Sequence, residues 1–161
     1  MKIGVISDTH IPVTALRLPD KVYSYFKSCD LIVHAGDATE ESVIEELRAI
    51  AETKAVCGNM DSFDLKKKLP KKIVFKVGNK EIGVMHGSGP PFKVMQNVAK
   101  EFSPKPDIII FGHTHIPMID RHEGVLFFNP GSATDSVCSK CCSFGIIEIN
   151  GDDIKAEIVE C

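Results

Sequence analysis

Apolar positions along this chain fall into short β-rich runs, which in the first half alternate with stretches of helical period. Residues 2–7 (KIGVIS) read as a buried strand. Residues 20–28 read as a short helix entered through Pro19, since proline is tolerated at a helix start. Residues 31–34 (LIVH) are a second strand. Thr39 is placed to cap a helix with Glu41 and Ser42 in its first turn and Val43, Ile44, Leu47, Ile50 and Ala51 along one face. Residues 54–57 make a third strand. Further on, residues 73–77 and 81–85 flank Gly78-Asn79-Lys80, a hairpin signal. Phe92, Met95, Val98, Ala99 and Phe102 mark an amphipathic helix, opened by Pro90-Pro91 and closed before Pro104. Residues 107–111 form a strongly apolar strand. Residues 118–121 and 125–128 pair through Glu123-Gly124, and residues 144–149 and 154–159 through Asn150-Gly151, the strongest of the hairpin signals.

The early βαβα order predicts an α/β fold with parallel strands and helices packed outside, to which the late hairpins add antiparallel strands. No linker or repeat interrupts the 161 residues, so the expectation is one domain over 1–161. Its 43% hydrophobic content is globular and not disordered. A net charge of −3 leaves no basic face for a stable nucleic-acid partner. The one basic cluster, Lys66-Lys67-Lys68 with Lys71-Lys72, reads first as a solvated loop and second as a phosphate-steering patch. The chain opens directly on a strand pattern with no leader-like segment, and no run of about 18 apolar residues occurs. A cytoplasmic protein without a membrane contact is expected. The six cysteines (Cys29, Cys57, Cys138, Cys141, Cys142, Cys161) are then reduced. The Cys138-x-x-Cys141 pair lacks the second pair that a structural zinc site needs, so it carries no catalytic expectation.

The chemistry lies at strand ends. Asp8-Thr9-His10, Gly36-Asp37, Gly58-Asn59, His86-Gly87 and Gly112-His113-Thr114-His115 each follow a strand candidate. Open α/β sheets bind ligands outside the carboxyl ends of their strands. Together these segments supply two Asp, one Asn and four His, a carboxylate and imidazole set that suits Mn, Fe, Co, Ni and Zn. Two cations about 3.5–4 Å apart form the clamp of many phosphatases and nucleases. A single His or Asp at a strand end is more often a cap; the weight here rests on the whole set.

These five segments resemble the signature of the calcineurin-like metallophosphoesterase superfamily, and Asn129-Pro130-Gly131-Ser132 resembles a further motif of its small single-domain phosphodiesterase branch. The resemblance spans residues 2–132 and implies a four-layer αββα sandwich of two mixed β-sheets flanked by helices. It also implies two divalent ions per chain, manganese first, with nickel, cobalt, iron or zinc as alternatives. Asp8, His10 and His115 would hold one, Asn59, His86 and His113 the other, and Asp37 would bridge them. The implied activity is hydrolysis of small phosphodiesters or activated phosphate esters by a hydroxide held between the ions, with Asp8, His10, Asp37, Asn59 and His86 catalytic.

One residue departs from the family pattern. Many members carry His after the motif Asn, near the leaving-group oxygen; Met60 stands there, and methionine donates no proton. Diesters and good leaving groups are therefore favoured over ordinary sugar phosphates. His34 is expected to support the site and not to ligate. His122 is expected to be exposed, and Asp61 is either an acceptor behind the ligands or a turn residue. Gly131 and Ser132 either approach the site through their backbone or merely turn the chain. The alternative function is an interaction scaffold like the retromer sorting subunit, which shares the opening and Asn-Pro-Gly-Ser patterns. A nuclease is a third reading, disfavoured by the acidic balance. A homodimer formed through exposed strands is possible.

Overall fold

A computed structural model describes residues 1–135 and 141–161. Its elements run β1 (Lys2–Ile6), α1 (Asp20–Phe26), β2 (Leu31–His34), α2 (Glu41–Arg48), β3 (Glu52–Ala55), α3 (Phe63–Lys68), β4 (Lys72–Val77), β5 (Lys80–Met85) and α4 (Pro91–Lys100). Then follow β6 (Ile108–Ile110), β7 (Met118–His122), β8 (Val125–Asn129), β9 (Ser143–Asn150) and β10 (Asp153–Glu160). They build two five-stranded mixed sheets, ordered β10-β9-β1-β2-β3 and β4-β5-β6-β8-β7. In the first sheet β1, β2 and β3 are parallel; in the second β5, β6 and β8 are. Both expected hairpins of the second half pair antiparallel, as does β4 with β5.

Strand periodicity explains the layering. Side chains alternate in direction along a strand, so each apolar strand feeds two cores. Ile108, Ile110, Leu126 and Phe128 point inward and meet Ile3, Val5, Leu31 and Val33 of the facing sheet. Their neighbours Ile109, Val125 and Phe127 point outward against Val94 and Val98 of α4. On the far face of the first sheet, Ile6, Ile32 and Ile146 pack under Val22 and Phe26 of α1 and Ile44 and Leu47 of α2. The result is the expected αββα sandwich. Among the described residues no helix is long and apolar enough to cross a membrane.

Several local expectations change. The lysine cluster is not a loop: residues 63–68 form α3, whose Ser62 hydroxyl accepts from Leu65 N. Only Leu65 of that helix is buried, so six residues offered no apolar period to read. Thr39 does not cap α2; Glu40 takes that place without a side-chain cap bond. Thr39 N is instead committed to Asp61 Oδ1 at 2.7 Å and its carbonyl to Ser62 N. The third strand lies two residues early, because its register is set by β2, with His34 opposite Ala55; Cys57 N leaves the sheet for Pro70 O. Phe92 is 79% exposed, and Val94, not Phe92, completes the buried stripe of α4. Cys138 lies outside the described residues, so the expectation for its pair with Cys141 goes no further.

Candidate metal centre

All seven expected ligand residues meet at one edge of the sandwich, past the carboxyl ends of β1, β2, β3, β5 and β6. Asp8, His10 and His115 each offer an atom within 4.8 Å of the others, and so do Asp8, Asp37 and His86. His10 Nε2 and His115 Nε2 stand 3.2 Å apart, with Asp8 Oδ1 3.9 and 3.3 Å away. On the other side, Asn59 Oδ1 lies 3.1 Å from His86 Nε2 and 3.0 Å from His113 Nδ1. Asp37 Oδ2 reaches both groups, 3.1 Å from His86 Nε2 and 3.9 Å from His10 Nε2.

Three of the imidazoles are fixed from behind. His86 Nδ1 sits 2.9 Å from Ala35 O, His113 Nε2 3.0 Å from Gly89 O, and His115 Nδ1 2.6 Å from Asp135 Oδ2. Each ring donates its outer N–H to that acceptor and turns its other nitrogen to the centre, the usual arrangement behind a ligating histidine. Four imidazole nitrogens, two carboxylates and an amide oxygen converging from opposite sides fit divalent cations of the imidazole-binding kind. The carboxylates make two of these imidazoles more basic than usual. The Asp8 hydrogen bond, with Asp135 behind, raises His115 to about 9 in spite of its burial. Burial pushes His86 down, but its hydrogen bond to Asp37 and the charge of Asp8 outweigh that and leave it raised. Asp37 mirrors this: burial pushes it up, while His86 and the Met60 N–H hold it below the usual carboxylate range.

The loops are locked by their backbone. Asp8 (φ 53°), His10 (42°), Asp37 (58°), His113 (71°) and His115 (58°) all occupy the left-handed region. Non-glycine residues rarely adopt it, and it persists where surrounding contacts enforce it, often at functional sites. Here Asp8 N donates to Gly36 O, His10 N to Asp37 O and Gly112 N to His86 O, each at 3.0 Å. The glycines preceding ligands are required by contact. A Cβ on Gly58 would overlap Asp37 Oδ1 and come within 2.6 Å of Asp37 N; one on Gly112 would overlap Ser7 Oγ and meet Asp8 Oδ2 at 2.5 Å.

The supporting residues resolve the open readings. Asp61 is an acceptor, not a turn residue: its buried carboxylate takes N–H bonds from Asp37 at 3.3 Å, Thr39 at 2.7 Å and Gly58 at 2.7 Å. His34 is fully buried between Thr9 Oγ1 and Gly36 N, and burial pushes it down to about 4. Ser132 Oγ donates to Asp8 O at 2.6 Å and accepts from Asp135 N, while Asn129 Nδ2 donates to Gly112 O. Met60 is 60% exposed, with its N–H on Asp37 Oδ1 at 2.6 Å. His122 is exposed as expected. Sequence reasoning missed Ser7, whose hydroxyl donates to Asp8 Oδ2 at 2.6 Å, and Asp135 behind His115. The rule that a ligating histidine has an outer acceptor signals that a residue like Asp135 must exist without saying which.

Comparison with known proteins places this geometry. Residues 1–152 match the model of the calcineurin-like phosphoesterase superfamily domain. A probable metallophosphoesterase of Methanocaldococcus jannaschii is 40% identical, covering 99% of this chain and 81% of its own. A phosphodiesterase of the same organism is 26% identical over 99% of this chain and 100% of its own. Among solved structures, Vps29 of Entamoeba histolytica complexed with zinc superposes with a TM-score of 0.77 at 27% identity, covering 99% of each chain.

Proposed function

The chain belongs to the calcineurin-like phosphoesterase superfamily, and from that premise we propose that it is a metal-dependent phosphodiesterase with two divalent ions. Asp8, His10 and His115 would hold one ion, Asn59, His86 and His113 the other, and Asp37 would serve both. What carries the reading is the convergence of two ligand groups on a shared carboxylate, Asp37 Oδ2, 3.1 Å from one group and 3.9 Å from the other. The similarity to a phosphodiesterase across the full chain supports the ester class. The family supports divalent ions; the carboxylates and the amide oxygen suit manganese, our first assignment, and the imidazoles suit Ni, Co, Fe or Zn as alternatives.

When bound, the ions draw in the phosphoryl oxygens and lower the pKa of a water towards neutral. The residues supply the rest. Asp8 and Asp37 carry the negative charge that lets two cations share the site. Outer acceptors at Ala35, Gly89 and Asp135 keep three imidazoles turned inward. No side-chain nucleophile is needed: Ser7 Oγ is engaged with Asp8, and burial raises the Cys57 thiol. Neither Met60 nor His34 is a strong proton donor for the leaving group. Met60 has no proton to give, and His34, pushed to about 4, is neutral at physiological pH. Esters of acidic alcohols, diesters among them, are therefore the favoured substrates. A scaffold role is disfavoured, since Asp8, His10, Asp37, His86 and His115 converge and Asn59 with His113 joins them at His86. We place the protein in the cytoplasm.

The test is metal-stripped protein reloaded with single ions and assayed on phosphomonoesters, phosphodiesters and cyclic nucleotides. Ion-dependent turnover that favours activated diesters is expected. No ion-dependent turnover of any ester would sink the proposal.

A further inference from the structure

Next to Asn59 and His86 opens a cleft of about 420 Å³, whose other walls include Cys57, Met85, Lys66 and Lys71. Two of its lining residues are thus candidate metal ligands, which puts the cleft beside the candidate ion site. The size falls in the range of small-molecule pockets.

The lysine cluster divides according to this cleft. Lys68 is paired with Glu41. Lys67 lies over the Phe63 ring at 4.0 Å, and Lys72 donates to Glu101 O. Lys66 and Lys71, the two that line the cleft, have no ion-pair partner among the described residues. Lys66 Nζ donates to the neutral carbonyl of Asn59 at 2.7 Å, which fixes the ammonium at the mouth without cancelling its charge. The backbone next to Lys71 is anchored to the cleft wall, since Pro70 O accepts from Cys57 N at 2.9 Å. Cys57 and Met85 contribute apolar surface to the cleft.

We propose that this cleft is an anion-recognising subsite for the second arm of the ester, with Lys66 and Lys71 as its charged groups. It rests on the phosphoesterase reading for the position of the phosphoryl group. The substrate class is then a phosphoester whose far end carries a further negative charge, a carboxylate or a second phosphoryl group.

The test uses manganese-loaded protein and three non-hydrolysable probes, followed by titration calorimetry: 4-carbamoylphenylphosphonate, 4-carboxyphenylphosphonate and 1,4-phenylenediphosphonate. The first two differ in charge and scarcely in shape; the third asks which anion is preferred. Both lysines are exposed, so screening keeps the gain modest. About fivefold tighter binding of a charged probe over the amide is expected in the wild type. That ratio should fall to about one in the Lys66→Gln/Lys71→Gln double variant and return in Lys66→Arg/Lys71→Arg. A wild-type ratio near one, or a ratio unchanged in the glutamine variant, overturns the subsite. Turnover of bis(p-nitrophenyl) phosphate is measured in parallel. Its absence, together with that of turnover of every other ester tried, with the binding ratio intact would overturn the phosphoesterase reading alone and leave the anion subsite standing.

Discussion

His115 Nδ1 donates to Asp135 Oδ2 across 2.6 Å, and that bond turns His115 Nε2 towards Asp8. Asp135 therefore acts on the site through His115 and touches no candidate ion. Loss of such an outer acceptor usually lowers metal affinity about 10–100-fold. Asp135→Ala should show that loss in chelator-competition titrations, with activity restored by excess ion. Wild-type affinity in the variant would show that the bond is incidental.

Asp37→Asn should remove most activity and weaken binding of both ions, because Asp37 Oδ2 reaches both ligand groups, as Asp8 Oδ1 also does at 3.9 Å from His10 Nε2 and 3.8 Å from His86 Nε2. The amide keeps the shape and removes the charge. Elemental analysis decides: two ions per chain with normal turnover would contradict the bridging role.

Gly112→Ala should lose ion binding and about 1–3 kcal/mol of stability, the usual cost of overpacking. The added methyl has no room against Ser7 Oγ and Asp8 Oδ2. Gly151→Ala is the contrast: φ is +60° but the space is open, so only the conformational cost of about 1–2 kcal/mol applies. Denaturant midpoints should show both losses; ion content should fall only in Gly112→Ala.

Histidine shifts of opposite sign, His34 lowered and His86 and His115 raised, should give the chelator-treated protein a stability optimum near the ordinary histidine pKa of about 6.5. Burial pushes His34 down to about 4, so the unfolded chain takes the proton first, and stability falls as pH drops from about 6.5. Asp8 raises His115 to about 9, so the folded chain holds that proton more tightly; its contribution is complete below about 6.5 and lost as pH climbs towards 9. Thermal melts across pH 4–9 should decline on both sides; ion loading should abolish the alkaline decline, and His115→Gln should shrink it to the part that the raised His86 leaves. A flat alkaline limb in chelator-treated wild type would refute the assignment to His115.

Met60→His should raise turnover of alkyl phosphates more than of aryl diesters. A general acid contributes about 10²–10⁴-fold where the leaving group is poor. The substitution keeps the backbone N–H that donates to Asp37 Oδ1 and adds an imidazole at the exposed rim. The ratio of kcat/KM for the two ester types is the readout; an unchanged ratio at full ion content would mean the new side chain does not reach the departing oxygen.

Strand-forming runs made most of the fold legible. Ile108-Ile109-Ile110 and Val125-Leu126-Phe127-Phe128 are apolar without alternation, which marks strands buried on both faces. The ligand residues were legible because they stood as polar interruptions at the ends of such runs. What stayed hidden depended on distance along the chain. Asp61 binds the Asp37 loop from 24 residues away, Asp135 lies 20 residues from His115, and neither carries a local pattern. Helix α3 was hidden for the opposite reason: six residues with one buried side chain are too short for a period to show. Thr39 has the right chemistry for a cap, and tertiary bonds to Asp61 and Ser62 claimed its backbone first.

Engineering for heat resistance would collide with the left-handed backbone of the ligand loops. Five ligand residues hold torsions that glycine, or to a lesser degree asparagine, would adopt at lower cost. A selection scored only on survival at high temperature would enrich those residues at His10, His113 and His115. It would return a more durable protein with no grip on its ions. At these positions durability and chemistry are opposed, so any such library must be read out by ion content as well as by melting.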